Sequence, residues 1–289
     1  MPKHSLQTLH SIEALGVVHA QRGDIRIEPL EDRLTPRVPF PHKHDFFQLV
    51  FISTGTGWHE VDFEKYSLTK NQIFILKPGQ VHSWKFSKNT RGLIVEFTSE
   101  SLSEDQTLFQ IESLPDCVTW TSSTGSPFTL LELMKNEADA QAVDYKRCLH
   151  NYLAVLLYQL FRYGNSTRKL RPLQEDLNRQ FSHLVETHYR NQHGLDFYAR
   201  QLKTSAKSLS AKIQRAYGKP AKEIIQDRCL LEAKRYLSYT ALPVAEIGYE
   251  LGFDDANYFS RFLRQRLRMS AQKFRQDYQK NHSDILSKT

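Results

Sequence analysis

Val244-Ala-Glu-Ile-Gly-Tyr-Glu-Leu-Gly-Phe-Asp-Asp-Ala-Asn-Tyr-Phe-Ser-Arg-Phe-Leu-Arg-Gln-Arg-Leu267 reads as two short helices around a tight turn. Val244, Ile247 and Leu251 recur at three- and four-residue spacing, which places them on one helix face. Gly252 marks the end of that helix, where left-handed backbone comes most easily to glycine. Asp254 or Asp255 then caps a second helix, whose buried face is expected to hold Tyr258, Phe259, Phe262 and Leu263. The opposite face offers Asn257, Ser260, Arg261, Arg264 and Arg268, side chains rich in hydrogen-bond donors. A helix-turn-helix that presents such a second helix is suited to a DNA major groove.

The same design occurs earlier in the chain. Leu195, Ala199 and Leu202 match Val244, Gly248 and Leu251 at an offset of 49, whereas Leu209, Ile213 and Ile224 match Phe259, Leu263 and Phe274 at an offset of 50. A single-residue difference confined to the turn is what two copies of one supersecondary unit would show. Between them, Ala221 to Ser238 reads as a continuous helix that would fix the distance between the two recognition helices.

Residues from about 180 to 280 resemble the DNA-binding domain of the AraC/XylS family of bacterial transcription regulators. The resemblance rests on Ala233-Lys-Arg-Tyr-Leu237, Ile247-Gly248, Leu251-Gly252-Phe253, Asn257-Tyr-Phe-Ser-Arg-Phe262 and Phe274-Arg275. It implies two helix-turn-helix units that place helices in successive major-groove faces. It also implies base-reading positions at Lys207, Ser210 and Ala211 in the first unit and at Ala256, Asn257, Ser260 and Arg261 in the second. Phosphate contacts are expected from Lys203, Lys207, Arg215 and Arg264. The chain departs from the family pattern after the second recognition helix, with Arg268 and Ala271 where glycine and proline are usual. Arg268 either lengthens that helix by a turn or adds a phosphate contact. In the first unit Gly218 is kept and Pro220 comes one place early, while Ala211 offers a methyl suited to thymine.

Charge follows the same division. Residues 170–289 hold 21 of the 39 Lys and Arg but only 13 of the 32 Asp and Glu, so the formal +7 of the chain belongs to this part. That is the electrostatic footprint of phosphate contact. The length of 289 residues, with 40% hydrophobic and 11% aromatic residues, suits two domains with real cores. Cys117, Cys148 and Cys229 are few, odd in number and far apart, which gives neither a disulfide framework nor a zinc spacing and points to a reducing cytosol. The first twenty residues lack an apolar signal core, and no run approaches the ~18 apolar residues of a membrane span. A bacterial cytoplasmic protein, nucleoid-associated when bound to DNA, is the expectation.

Up to about residue 120 the chain reads as strands: Phe46 to Ile52, Gly57 to Phe63, Gln72 to Leu76, Ser83 to Phe86 and Gly92 to Phe97. Short aromatic or β-branched runs separated by Gly, Pro, Asn and Lys suggest an antiparallel barrel or jelly roll. Pro41-His-Lys-His-Asp-Phe-Phe-Gln48 and Lys77-Pro-Gly-Gln-Val-His82 resemble the two cupin motifs over residues 25–100, as do sensor domains of the AraC type. Period-2 alternation sends His42, His44, Phe46, Gln48, Val50 and Ile52 toward one face. Metal-binding cupins have glutamate at the position of Gln48, so the resemblance implies an effector pocket here, with no metal or other cofactor assigned. His42, His44, Gln48 and His82 are its expected polar residues, and Phe40, Trp58 and Trp84 its expected walls. Lys43 and Lys85 near the mouth suggest an aromatic or other organic acid as effector.

Residues 126–138 and 144–163 read as helices. Leu149, Leu153, Leus 156 and 157, Leu160 and Phe161 form an apolar stripe, expected either to seam a homodimer or to cover the barrel. The expected architecture is an α+β multidomain chain. It has a cupin-like barrel with dimerisation helices over 1–163, a linker over 164–179 and an all-α double helix-turn-helix over 180–289. The expected function is ligand-responsive transcription regulation, more often activation, rather than enzymatic catalysis. Its partners would be promoter DNA, a small-molecule effector, RNA polymerase and a second copy of the chain, with no membrane. Two rival readings are a constitutive DNA-binding regulator whose barrel dimerises or recruits a protein, and a metal-dependent cupin enzyme tethered to DNA.

Overall fold

The computed structural model describes residues 24–34, 41–102, 111–112, 114–121, 125–164 and 177–286. Phe40 and residues 165–176 of the expected linker lie outside the described residues. The described residues divide into two compact units, 24–164 and 177–286. The first is β-rich and the second helical.

Among the described residues nine strands build the first unit: β1 (Ile25–Pro29), β2 (His42–Lys43), β3 (Phe47–Thr54), β4 (Gly57–Val61), β5 (Glu64–Ser67), β6 (Gln72–Leu76), β7 (Val81–Phe86), β8 (Arg91–Phe97) and β9 (Cys117–Thr119). They form two antiparallel sheets, ordered β1-β8-β3-β6-β9 and β2-β7-β4-β5. Alternation along β3 sorts its side chains. Val50 and Ile52 join Leu30, Val61, Phe74, Leu76 and Ile94 in an interior cluster, whereas Phe47, Leu49 and Phe51 join a core on the other face. That second core is completed by α1 (Phe128–Ala140) and α2 (Tyr145–Gly164).

Helix α2 therefore settles one open expectation. Leu149, Leu153, Leu156, Leu157, Leu160 and Phe161 are all buried in the core against the sheet. The stripe expected as a dimer seam is used up within the unit. The large apolar side chains exposed on this helix are Val155 and Tyr158 among its described residues, with Tyr145 and Tyr152 half-buried.

The second unit runs α3 (Leu177–His188), α4 (Leu195–Gln201), α5 (Ala206–Tyr217), α6 (Ala221–Tyr239), α7 (Val244–Glu250), α8 (Ala256–Leu267) and α9 (Ala271–Leu286). Helix α3 begins inside the stretch expected as linker. One core serves all the helices, with Phe181, Tyr198, Ile225, Ala233, Ile247 and Phe259 among its buried members. A carboxylate is buried beside that core. Glu232 on α6 meets Arg235 at 2.8 Å, Arg190 at 3.1 Å and Arg228 at 3.2 Å, and Arg228 also reaches Glu186 at 2.7 Å. Burial alone would raise the Glu232 pKa, but Arg235, Arg228 and Arg190 outweigh it and hold the group below the ordinary glutamate range.

The two repeats hold the same backbone corners with opposite residue choices. Gly252 at the second turn has φ +74°, and its counterpart Lys203 in the first has φ +50°. After the recognition helices, Gly218 has φ +72° and its counterpart Arg268 has φ +61°. Left-handed backbone costs a residue with a Cβ about 1–2 kcal/mol, so each repeat accepts strain where the other uses glycine. Arg268 is the cap itself, its N–H bonded to the carbonyl of Arg264 at 3.1 Å. The helix thus stops at Leu267, and the extra turn considered above does not form.

Candidate functional site

Local chemistry sets each recognition helix. The Ser205 Oγ accepts from the N–H of Ser208 at 3.1 Å and starts α5, and the Asp255 carboxylate accepts from the N–H of Asn257 at 2.8 Å and starts α8. Such caps satisfy amides that a first helical turn leaves unpaired. Leu209 and Ile213 anchor α5 in the core, and Phe259, Phe262 and Leu263 anchor α8. Gly248 on α7 allows the close approach, because a Cβ there would stand 2.9 Å from the Phe259 ring.

With those faces buried, helical geometry turns Lys207, Ala211 and Arg215 of α5 outward, and Asn257, Ser260, Arg261 and Arg264 of α8 likewise; all are exposed. Ser210 and Ala256 are half-buried at the edges, and Lys203 is exposed in the first turn. Tyr258 departs from expectation. It is 55% exposed rather than part of the buried face, because 100° per residue carries it past Phe262 to the flank. Gln214 and Gln265 share the exposed polar faces and were not singled out from sequence, since neutral amides add nothing to a charge pattern. Gln214 donates to the Gly218 carbonyl at 2.9 Å.

The barrel interior gathers a different set. Ring centroids of His42 and His82 lie 4.5 Å apart, those of His44 and His82 5.1 Å, and those of His59 and His82 5.4 Å. Trp84 stands edge-on to His59 at 5.5 Å. His59 lies outside both cupin-like motifs and is not marked by the sequence. Strand register brings it in, since His59 pairs with Trp84 while His82 pairs with both His42 and Val61. Trp58 does not join them. It alternates with His59 onto the opposite face, pairs there with Lys85, and carries the Lys65 ammonium 4.1 Å from its ring centre.

Gln48 is 3% exposed and donates its amide N–H to the Glu96 carboxylate at 2.9 Å. Glu96 is paired in addition with Arg26 at 3.5 Å and Arg33 at 3.6 Å. Metal coordination does not fit these residues. Among the described residues no group of three His, Cys, Asp or Glu side chains is arranged to hold a metal ion. The glutamate of the metal-binding pattern is Gln48, whose amide nitrogen is committed to Glu96. A hydrogen bond between His59 Nε2 and His82 Nδ1 at 3.1 Å occupies a further pair of nitrogens.

Burial keeps the imidazoles neutral. His42 is pushed down to about 3 by burial, then by His44, His59 and Arg33. Burial lowers His44 to about 4 against the raising effect of the Phe46 carbonyl and Asp45, and lowers His59 to about 3 with help from His44. His82 shifts the same way, from burial first and then its three histidine neighbours. The unfolded chain, whose histidines titrate near ~6.5, then binds protons that the fold refuses. Barrel stability is complete above that pH and falls as pH drops from 6.5 toward 4, by up to about 1.4 kcal/mol per pH unit for each histidine. Trp58, Trp84 and Trp120, the three tryptophans of the chain, all lie in this unit. The urea midpoint followed by their fluorescence is expected to decline steadily from pH 7 to pH 4.5. A flat midpoint across that window would mean that these rings titrate as freely in the fold as outside it.

Two family profiles match the chain: the AraC-like ligand binding domain over residues 25–177 and a helix-turn-helix domain over residues 198–277. The HTH-type transcriptional activator RhaS of Escherichia coli O81 (strain ED1a) is 24% identical over 289 residues, covering 94% of this chain and 98% of RhaS. ToxT from Vibrio cholerae aligns over 87% of this chain and 97% of its own at 13% identity, with a TM-score of 0.42. The C-terminal domain of the response regulator yesN from Fusobacterium nucleatum aligns with 33% of this chain and 93% of its own at 25% identity, with a TM-score of 0.32. Among the described residues no helix is long and apolar enough to cross a membrane. The ligand-binding profile spans more than half of the sequence and the helix-turn-helix profile most of the remainder, so the chain belongs to the AraC/XylS family of DNA-binding transcription regulators.

Proposed function

We propose that this protein is a ligand-responsive transcription activator that reads a bipartite promoter site. The observation that carries the reading is the pair of capped recognition helices, each anchored by its apolar face in one shared core and each turning polar and basic side chains outward. Asn257, Ser260 and Arg261 supply base discrimination in the second unit, with Ala256 at its edge. Lys207, Ser210 and Ala211 do so in the first, where the Ala211 methyl suits a thymine. Lys203, Lys207, Arg215 and Arg264 hold phosphates, which sets register and makes affinity fall with salt. The effector occupies the barrel among His42, His44, Gln48, His82 and Trp84. It shifts the regulator by binding one conformation better than another. RNA polymerase and a second copy of the chain are the further partners this reading calls for. Val155 and Tyr158, exposed on α2, offer apolar surface to the latter.

Binding selection on random duplexes tests the assignment. Arg261→Ala is expected to lose ~1–3 kcal/mol at one base position and to relax preference there. Lys207→Ala is expected to weaken binding more evenly across sequences and to reduce the salt slope by about one unit where its contact is to phosphate. An unchanged selection profile for Arg261→Ala would remove that residue from base reading.

A further inference from the structure

The corner after the second recognition helix holds an arginine where glycine would be easier. Arg268 sits at φ +61°, in the conformation that Gly218 adopts at φ +72° after the first recognition helix. A Cβ on Gly218 would meet nothing within 4 Å, so such a corner favours glycine for its backbone and not for want of room. At position 268 the left-handed strain is accepted, and a long cationic side chain stands there instead. Strain that an easier residue would relieve points to a task which that residue cannot perform.

Two observations identify the task. The first is place. The Arg268 N–H bonds to the Arg264 carbonyl at 3.1 Å, which sets Arg268 one turn beyond Arg264 at the end of α8. Arg261, Arg264 and Arg268 follow one another at three- and four-residue spacing, so the cap extends the row of cations begun on the exposed face. The second is availability. Neighbouring cations are committed within the fold: Arg266 pairs with Asp227, Lys273 pairs with Asp277 at 2.8 Å, and Arg275 donates to the carbonyls of Leu237 and Leu242. Arg268 is exposed and, among the described residues, its side chain has neither an ion pair nor a hydrogen bond. A cation at a helix C-terminus also suits the macrodipole. Arg264 and Arg266 already occupy the last turn of α8, so that benefit does not single out position 268.

We propose that Arg268 is a phosphate contact of the second helix-turn-helix unit, gripping the DNA backbone just past the base-reading face, at the expense of a less stable corner. That role rests on α8 being the reading helix of its unit. The first unit, with Gly218 at the same corner, has no equivalent, so the two units hold the backbone unequally.

Three substitutions separate strain from charge. Arg268→Gly removes both, Arg268→Gln removes only the charge, and Arg268→Lys keeps both. Binding of the full chain is followed by fluorescence anisotropy on a duplex recovered by binding selection and on a random-sequence duplex, from about 50 to 200 mM salt. The helical unit of Arg268→Gly is expected to melt roughly 2–5 °C higher. The same variant should bind both duplexes roughly three- to tenfold more weakly, with a salt slope lower by about one unit. Arg268→Gln should match it in binding without the thermal gain, and Arg268→Lys should stay close to the parent in both.

Arg268→Gln that binds as tightly as the parent, with an unchanged salt slope, overturns the proposal and leaves the arginine a helix cap only. A loss confined to the selected duplex overturns it as well, since a phosphate contact carries no sequence information. Arg264→Gln, measured alongside, keeps the two levels apart. Weaker binding by Arg264→Gln but not by Arg268→Gln removes the Arg268 contact alone. Parent-like binding by both removes that contact and the reading of α8 with it.

Discussion

Glu232→Ala is expected to remove about 3–5 kcal/mol from the stability of the helical unit, the scale on which breaking a buried ion cluster is felt. The carboxylate is 4% exposed and faces three guanidinium groups, of which Arg235 is 6% exposed and buried with it. Deleting Glu232 removes the carboxylate that all three share, although Arg228 keeps Glu186 at 2.7 Å. Glu232→Gln keeps shape and some hydrogen bonds, so its loss should be smaller. Urea unfolding followed by far-ultraviolet circular dichroism measures both, with tryptophan fluorescence reporting the barrel separately. The pH dependence gives a second check. The folded pKa of Glu232 lies below its unfolded value, so its contribution is complete above the ordinary glutamate range and is lost as pH falls through the folded pKa. The deficit of Glu232→Ala should therefore shrink on acidification. A deficit below about 1 kcal/mol at neutral pH would mean that desolvation cancels the attraction.

Gly252→Ala is the second large loss, at about 3 kcal/mol. Its φ of +74° accounts for only part, because Lys203 occupies the equivalent corner of the first repeat at +50° with a full side chain. The difference lies in what stands opposite. A Cβ on Gly252 would meet the backbone oxygen of Arg190 at 2.1 Å, and a main-chain atom cannot rotate away as a side-chain tip can. Overpacking of that kind costs roughly 1–3 kcal/mol, added to the left-handed strain of about 1–2 kcal/mol. Lys203→Gly is the control, expected to be neutral or mildly stabilising. Equal thermal shifts of opposite sign for the two substitutions would place the whole effect in backbone preference and none in the contact.

The helical unit was legible because its information is local and repeated. Spacing gave Val244, Ile247 and Leu251 their face, Asp255 its cap and Gly252 its turn, and each is realised. Tyr258 was misplaced because an aromatic beside Phe259 looks equally apolar, and only the angle of each position separates flank from core. In the barrel, strand existence was readable but partnership was not. His59 enters the cluster, and Glu96 meets Gln48, through antiparallel pairings across 23 and 48 residues. Nothing local encodes such pairings. Trp58 shows the same limit from the other side, since alternation says that two neighbours diverge without saying which of them turns inward. The apolar stripe of α2 was visible, but only the fold shows that the sheet already covers it.

Helix α6 has a consequence for the genome rather than for the protein. Its 19 residues span roughly 28 Å at 1.5 Å per residue, and it is packed into the core that also holds both recognition helices. The two readers cannot slide relative to one another as readers on a flexible tether can. On the proposed bipartite reading, promoter recognition becomes a search for two short, unlike words in fixed phase, about one helical turn apart. Base changes within a word would degrade recognition in steps. A lengthened gap would rotate one word out of reach and silence it, however perfect its letters.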